Sequence, residues 1–151
     1  MSLRNILLIL HIAGAGTWFG ANILQAVVPR LAGHEDKRIV AGWFRIASRL
    51  AKPIYIPAGV LILITGVWMV LISDAYSFAS AFVIIGLTVI VIGAVLGNVV
   101  FDPTSTAAAQ ALEAGDEAAA RRAMGKLGGF GALDTVLVLF TIAAMVLRLG
   151  A

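Results

Sequence analysis

Four long apolar runs, separated by short polar stretches, organise this chain. The first extends from about Asn5 to Val28 and stops at Pro29-Arg30. The second runs from Pro53 to Ser73, and the third from Phe78 to Phe101, ending at Asp102-Pro103. The fourth runs from Phe130 to Leu147 and is followed by Arg148. Each has the roughly 17–25 residues that a helix needs to cross the hydrocarbon of a bilayer. Nothing amphipathic remains to cover them as buried soluble helices, and strands are excluded because an open sheet edge is not tolerated in lipid. The predicted fold is all-α: one integral membrane four-helix transmembrane bundle over residues 1–151, with spans at about 5–28, 53–73, 78–101 and 130–147.

The polar stretches carry structure of their own. Glu35 to Lys52 contains no proline and reads as a helix leading into the second span. On it Arg38, Arg45, Arg49 and Lys52 fall in one stripe, with Trp43 and Phe44 beside it. Such a stripe suits anionic lipid headgroups, which attract a basic residue by about 1 kcal/mol each. It also suits the acidic groups of a bound cofactor. Thr104 to Gly125 reads as one or two short surface helices with a break at Gly115-Asp116.

Composition and charge agree with the membrane reading. Hydrophobic residues make up 61% of the 151 residues and charged residues 13%, against about 25% charged in a soluble domain. The first apolar run is too long for a signal-peptide core and lacks a cleavage site, so it reads as a membrane helix. Nine basic residues lie in the first and third loops, against Arg4 and Arg148 near the termini. By the positive-inside rule those loops are cytoplasmic and both termini lie outside the inner membrane. The net charge of +3 therefore reflects topology and does not point to nucleic acid. The absence of cysteine removes disulfides, thiolate metal sites, iron–sulfur clusters and covalent haem attachment. No P-loop, HExxH, dinucleotide-binding glycine pattern or Ser-His-Asp arrangement occurs.

Within the spans, small and polar residues are the informative ones. Gly16-x-x-x-Gly20 with Gly14, and Gly86, Gly93 and Gly97, predict close helix packing. The alternative is a flat cofactor lying against the backbone. Pro53 suits the start of the second helix, and Pro57 predicts a kink in it. His11, Ala15, Trp18, Asn22 and Gln25 share one face of the first helix, which must turn toward the bundle interior. Asn22 and Gln25 are expected to hydrogen-bond neighbouring helices. His11, about two turns inside the outer end, is either a hydrogen-bonded core residue, a haem or metal ligand, or a proton relay. His34, 23 residues away, lies near the opposite face at about 1.5 Å per residue and cannot pair with it on one metal. Asp134, about one turn inside the cytoplasmic boundary of the fourth span, is expected to pair with Arg30 or Arg49, or to relay protons.

Leu10-His11, Trp18-Phe19 and Pro29-Arg30-Leu31, with Arg49-Leu50, Pro53 and Thr65-Gly66, resemble the HemJ and CopD-like bacterial membrane proteins. Val100 to Pro103 and Gly131-Ala132-Leu133-Asp134 resemble an uncharacterised bacterial family of four-helix integral membrane proteins with a similar start. The resemblance to HemJ proteins implies a haem b protein in a redox or haem-metabolism role, with His11 as axial ligand. The third span carries neither the lysine nor the histidine of that pattern. The expected cofactor site is thus His11, also the metal ligand, with Trp18, Arg45 and Arg49. The rival expectations are a non-catalytic accessory subunit of a larger membrane complex or a homo-oligomer, and, more remotely, a small-molecule transporter.

Overall fold

The computed structural model of the chain describes residues 2–34 and 36–150, and every regular element among them is helical. Helix α1 (Leu3–Ala32) starts on Ser2, whose side chain accepts a hydrogen bond from the Asn5 amide. It passes through Pro29 without ending there, contrary to the expected stop. A proline this late removes only its own N–H, and the last carbonyls of a helix lack intrahelical partners in any case.

Helix α2 (Lys37–Ala47) is capped by Asp36, while Glu35, the expected start of this segment, lies outside the described residues. It ends before Ser48, whose hydroxyl donates to the Arg45 carbonyl at 3.0 Å. Arg49 and Lys52 therefore lie beyond the helix, and the expected four-residue basic stripe is split between two elements. Phe44 leaves that stripe altogether and is buried in a small core with Ala32, Val40, Ala108 and Ala109.

The second span opens with a π-helical turn (Ala51–Tyr55) and continues as α3 (Ile56–Leu71). The distortion expected at Pro57 takes this form, one wide turn placed just ahead of it. The third span, α4 (Ala81–Leu96), passes through a second π-helical turn (Gly97–Phe101) into α5 (Asp102–Glu113). Asn98 donates to the Ala94 carbonyl at 2.8 Å, which occupies a carbonyl where the ladder changes register. Asp102-Pro103 thus begins a new helical segment and does not end the span.

Gly115, at φ +73°, closes α5 in the left-handed conformation that glycine accepts freely. Asp116 then caps α6 (Glu117–Val146) by accepting from the Ala119 amide at 2.9 Å. The break at Gly115-Asp116 falls where it was expected. The surface helices do not stand alone, however: they are α5 and the first turns of α6, continuous with the third and fourth spans. At the other end Phe82 and Ala81 donate their amides to the Leu149 and Gly150 carbonyls at 3.0 and 3.4 Å, so the segment after α6 caps the start of α4.

Helix α1 packs along α3 and α6, and α4 packs against α6. At mid-bundle Trp18, Ile62, Val89 and Val138, one residue from each span, form a shared core. Outward-facing residues such as Ile9, Ile12, Leu71, Val91, Val99 and Val136 are all more than half exposed, as a lipid-facing surface requires.

The glycines act differently from the expected packing motifs. A Cβ on Gly14 would meet Ile62 at 2.8 Å, and one on Gly86 would meet the Met145 methyl at 2.6 Å. One on Gly93 would overlap the Trp18 indole. Gly16, Gly20 and Gly97 have open space beside them. Close contact rests on Gly14, Gly86 and Gly93, and neither GxxxG pair brings two helices together. Gly93→Ala should therefore lower stability by about 1–3 kcal/mol, the usual penalty of overpacking, read as the midpoint of unfolding in mixed detergent. Gly16→Ala should leave that midpoint unchanged or raise it, since alanine is the better helix former.

Candidate functional site

The polar face of α1 turns inward as predicted. His11, Trp18 and Asn22 are each 8% exposed, and Gln25 is half-buried. What they meet on α3 and α6 defines the site.

His11 Nδ1 lies 3.0 Å from the Ile62 carbonyl and 3.1 Å from Thr65 Oγ1. The Thr65 hydroxyl has one proton and lies 2.6 Å from the Leu61 carbonyl, so toward His11 it accepts. A carbonyl also only accepts. Nδ1 therefore carries the proton, and the neutral ring presents Nε2 as its lone-pair nitrogen. Gly66 makes the room: a Cβ there would be 3.1 Å from His11 Cε1.

One helical face further along α1, the Trp18 indole lies between Gly59 and Gly93 and meets Tyr55 edge-on at 5.9 Å and 87°. Its Nε1 donates to Asp134 Oδ2 at 3.2 Å. Asn22 donates to the same oxygen at 2.7 Å, and the Tyr55 hydroxyl donates to Asn22 Oδ1 at 3.0 Å. The Gln25 amide lies beside that hydroxyl. Asp134 is 2% exposed, and its Oδ1 is buried with no hydrogen-bond partner.

The expected Arg30 or Arg49 partner for Asp134 is not found; both side chains are exposed. Neutral N–H donors from α1 reach the carboxylate first. Arg30 sits eight residues beyond Asn22, about 12 Å further along the helix axis. The ion pairs among the described residues lie in the loop-helix layer: Lys37 with Glu117, Arg45 with Glu113 at 3.2 Å, and Arg121 with Glu117 at 3.8 Å.

Of the expected cofactor residues, His11 and Trp18 share the wall of one cavity with Gly86, Val138, Thr141 and Met145. Arg45 and Arg49 belong to the loop-helix layer, away from it. His11 Nε2 is a suitable donor for iron. The cavity is about 50 Å³, however, against about 300–1,000 Å³ for typical cofactor pockets. The flat surface at Gly93 is filled by Trp18. These residues do not form a porphyrin seat in this geometry. Water fits, since one molecule needs about 10–15 Å³.

Tyr55 and Thr65 are the site residues that sequence reasoning missed. Both lie on the second span, where Gly59 and Gly66 stand seven residues apart and accommodate the two rings of α1. That spacing was the available signal. Asn22→Ala should destabilise the bundle by about 0.6–2 kcal/mol, the range for interhelical hydrogen bonds in membranes. Gln25→Ala, with no partner on Asp134, should cost less in the same unfolding assay.

No curated protein and no solved structure matches the chain. The family model described as predicted integral membrane protein (DUF2269) matches residues 5–149. That match covers nearly the whole bundle, all four spans and both rings' seats included, and the chain belongs to this family.

Proposed function

We propose that the chain is an inner-membrane protein that relays protons within the bilayer through His11, as part of a membrane redox or transport process. The observation that carries this reading is the pinned ring. The Ile62 carbonyl and Thr65 hydroxyl hold Nδ1–H, which fixes the tautomer and leaves Nε2 as a base. Nε2 takes a proton from water in the cavity that His11 shares with Thr141 and returns it to water when the charge moves on. Ionisable groups inside a span are costly and serve such pathways as a rule. The bias of basic residues toward the loop-helix end supports a cytoplasmic position for it, with both termini outside. Arg38, Arg49 and Lys52, exposed at that end, then meet anionic headgroups.

In liposomes carrying an internal pH dye, an imposed potential should drive proton flux that depends on the protein. His11→Gln should reduce it by about 100-fold, the scale of general acid–base catalysis. Flux no greater than in empty liposomes would sink the reading. An absorption spectrum of haem-replete protein serves as the companion measurement. A Soret band lost in His11→Ala would replace proton relay by haem ligation at the same nitrogen.

A second reading, an assembly subunit or homo-oligomer, is favoured by the open Gly16-x-x-x-Gly20 face of α1, since small residues admit a partner helix. The cysteine-free chain gives a clean test. A single Thr17→Cys should form disulfide-linked dimers in native membranes if that partner is a second copy, and remain monomeric otherwise.

A further inference from the structure

We propose that Asp134 is the seat of one exchangeable positive charge at the centre of the bundle, held on Oδ1. This site is separate from His11 and does not depend on its role. Three observations converge on it. First, the donors run one way: Tyr55 O–H to Asn22, then Asn22 N–H and Trp18 N–H to Asp134 Oδ2. Such an arrangement supports a carboxylate at that oxygen. Second, Oδ1 receives no donor at all, although it is buried. It faces α4 at Gly93, where a Cβ would lie 3.6 Å away. Third, the protein brings no cation of its own. All eleven lysines and arginines are exposed, and no ion pair among the described residues includes Asp134.

A charged carboxylate in this setting, without a counterion, is heavily disfavoured. The missing charge must come from solution, as a proton covalently held on Oδ1 or as an alkali cation beside it. The groups that face Asp134 from the packed elements are Trp18 and Asn22 on α1, Tyr55 ahead of α3, and Gly93 on α4. The span α4 has no charged residue between Ala81 and Leu96. On α6 the nearest charged side chain is Lys126, eight residues back and exposed. His11 lies seven residues from Trp18 on α1. Tyr55 and His11 are thus the only other titratable groups near enough to report in a titration.

The test uses the full chain in detergent with Trp43→Phe and Trp68→Phe, which leaves Trp18 as the sole tryptophan. Its emission and the infrared carboxyl band are followed while pH is raised in choline chloride, and then while sodium or potassium chloride is added at fixed pH. A proton on Oδ1 appears as a carboxylic acid band that converts to carboxylate together with a shift in Trp18 emission. An alkali ion appears as an emission shift with salt at fixed pH, with choline inert. Either response should be lost in Asp134→Asn and retained in His11→Gln and Tyr55→Phe. A carboxylate band at every pH with no salt response would overturn the proposal, as would a response that survives in Asp134→Asn. If that variant does not fold, the infrared titration of the unsubstituted protein with isotope-labelled aspartate decides alone.

Discussion

A carboxyl group inside hydrocarbon must find its partners within the protein, and at Asp134 they come from α1. Trp18 and Asn22 occupy successive positions on one helical face and close on the same oxygen. This places α1 against α6, and Tyr55 on Asn22 adds the start of the second span. His11 fastens the outer half of α1 to α3 through backbone and hydroxyl acceptors. The first helix is therefore the polar spine of the bundle. Each such bond is worth only about 0.6 kcal/mol on average in a membrane, so their importance lies in fixing which faces meet. An alternative helix rotation would turn Asp134 or His11 toward lipid, at several kcal/mol.

The apolar packing is arranged around those polar contacts. In lipid there is no hydrophobic force between helices, and fit decides. Here the fit is between rings and glycines: Gly66 under His11, Gly59 and Gly93 on the two sides of Trp18. Glycine on α3 and α4 serves the side chains of α1 more than the approach of backbones. Gly14 is the exception, since its surroundings are Ile62 and the Ala58 carbonyl. The lower layer, where α2 meets α5 and the start of α6, is instead an ordinary apolar cluster around Phe44 and Ala108.

Hydropathy alone made the four spans legible, because lipid demands about twenty apolar residues in succession. The polar face of α1 was equally legible from its 3.6-residue period. Helix ends were not. Pro29 and Pro103 look like stops in one dimension, but a proline near a helix end or just after a wide turn removes little that the helix needs. Partners were also hidden. Asp134 next to a loop rich in arginine suggested an ion pair, whereas the indole and amide of α1 were already at the right height. Tyr55 escaped notice because it sits between two prolines, in a segment that reads as a boundary. The cavity beside His11 was beyond sequence reasoning, since its size depends on where Trp18, Gly86 and Met145 come to rest.

The two π-helical turns, Ala51–Tyr55 and Gly97–Phe101, bear on how this chain tolerates insertion and deletion. Each takes up one residue more than an α-helical turn would. Losing a single residue from Gly97–Phe101 would let the helix run on without a defect, and no hydrogen bond of the ladder need be lost. The segment beyond it would nonetheless turn by about 100°. Ala108 and Ala109, now fully sheltered against α2, would swing away, and polar side chains such as Gln110 would take their place. Length in these five residues is thus a matter of phase: the bundle above and the helical layer below are kept in step by one surplus residue.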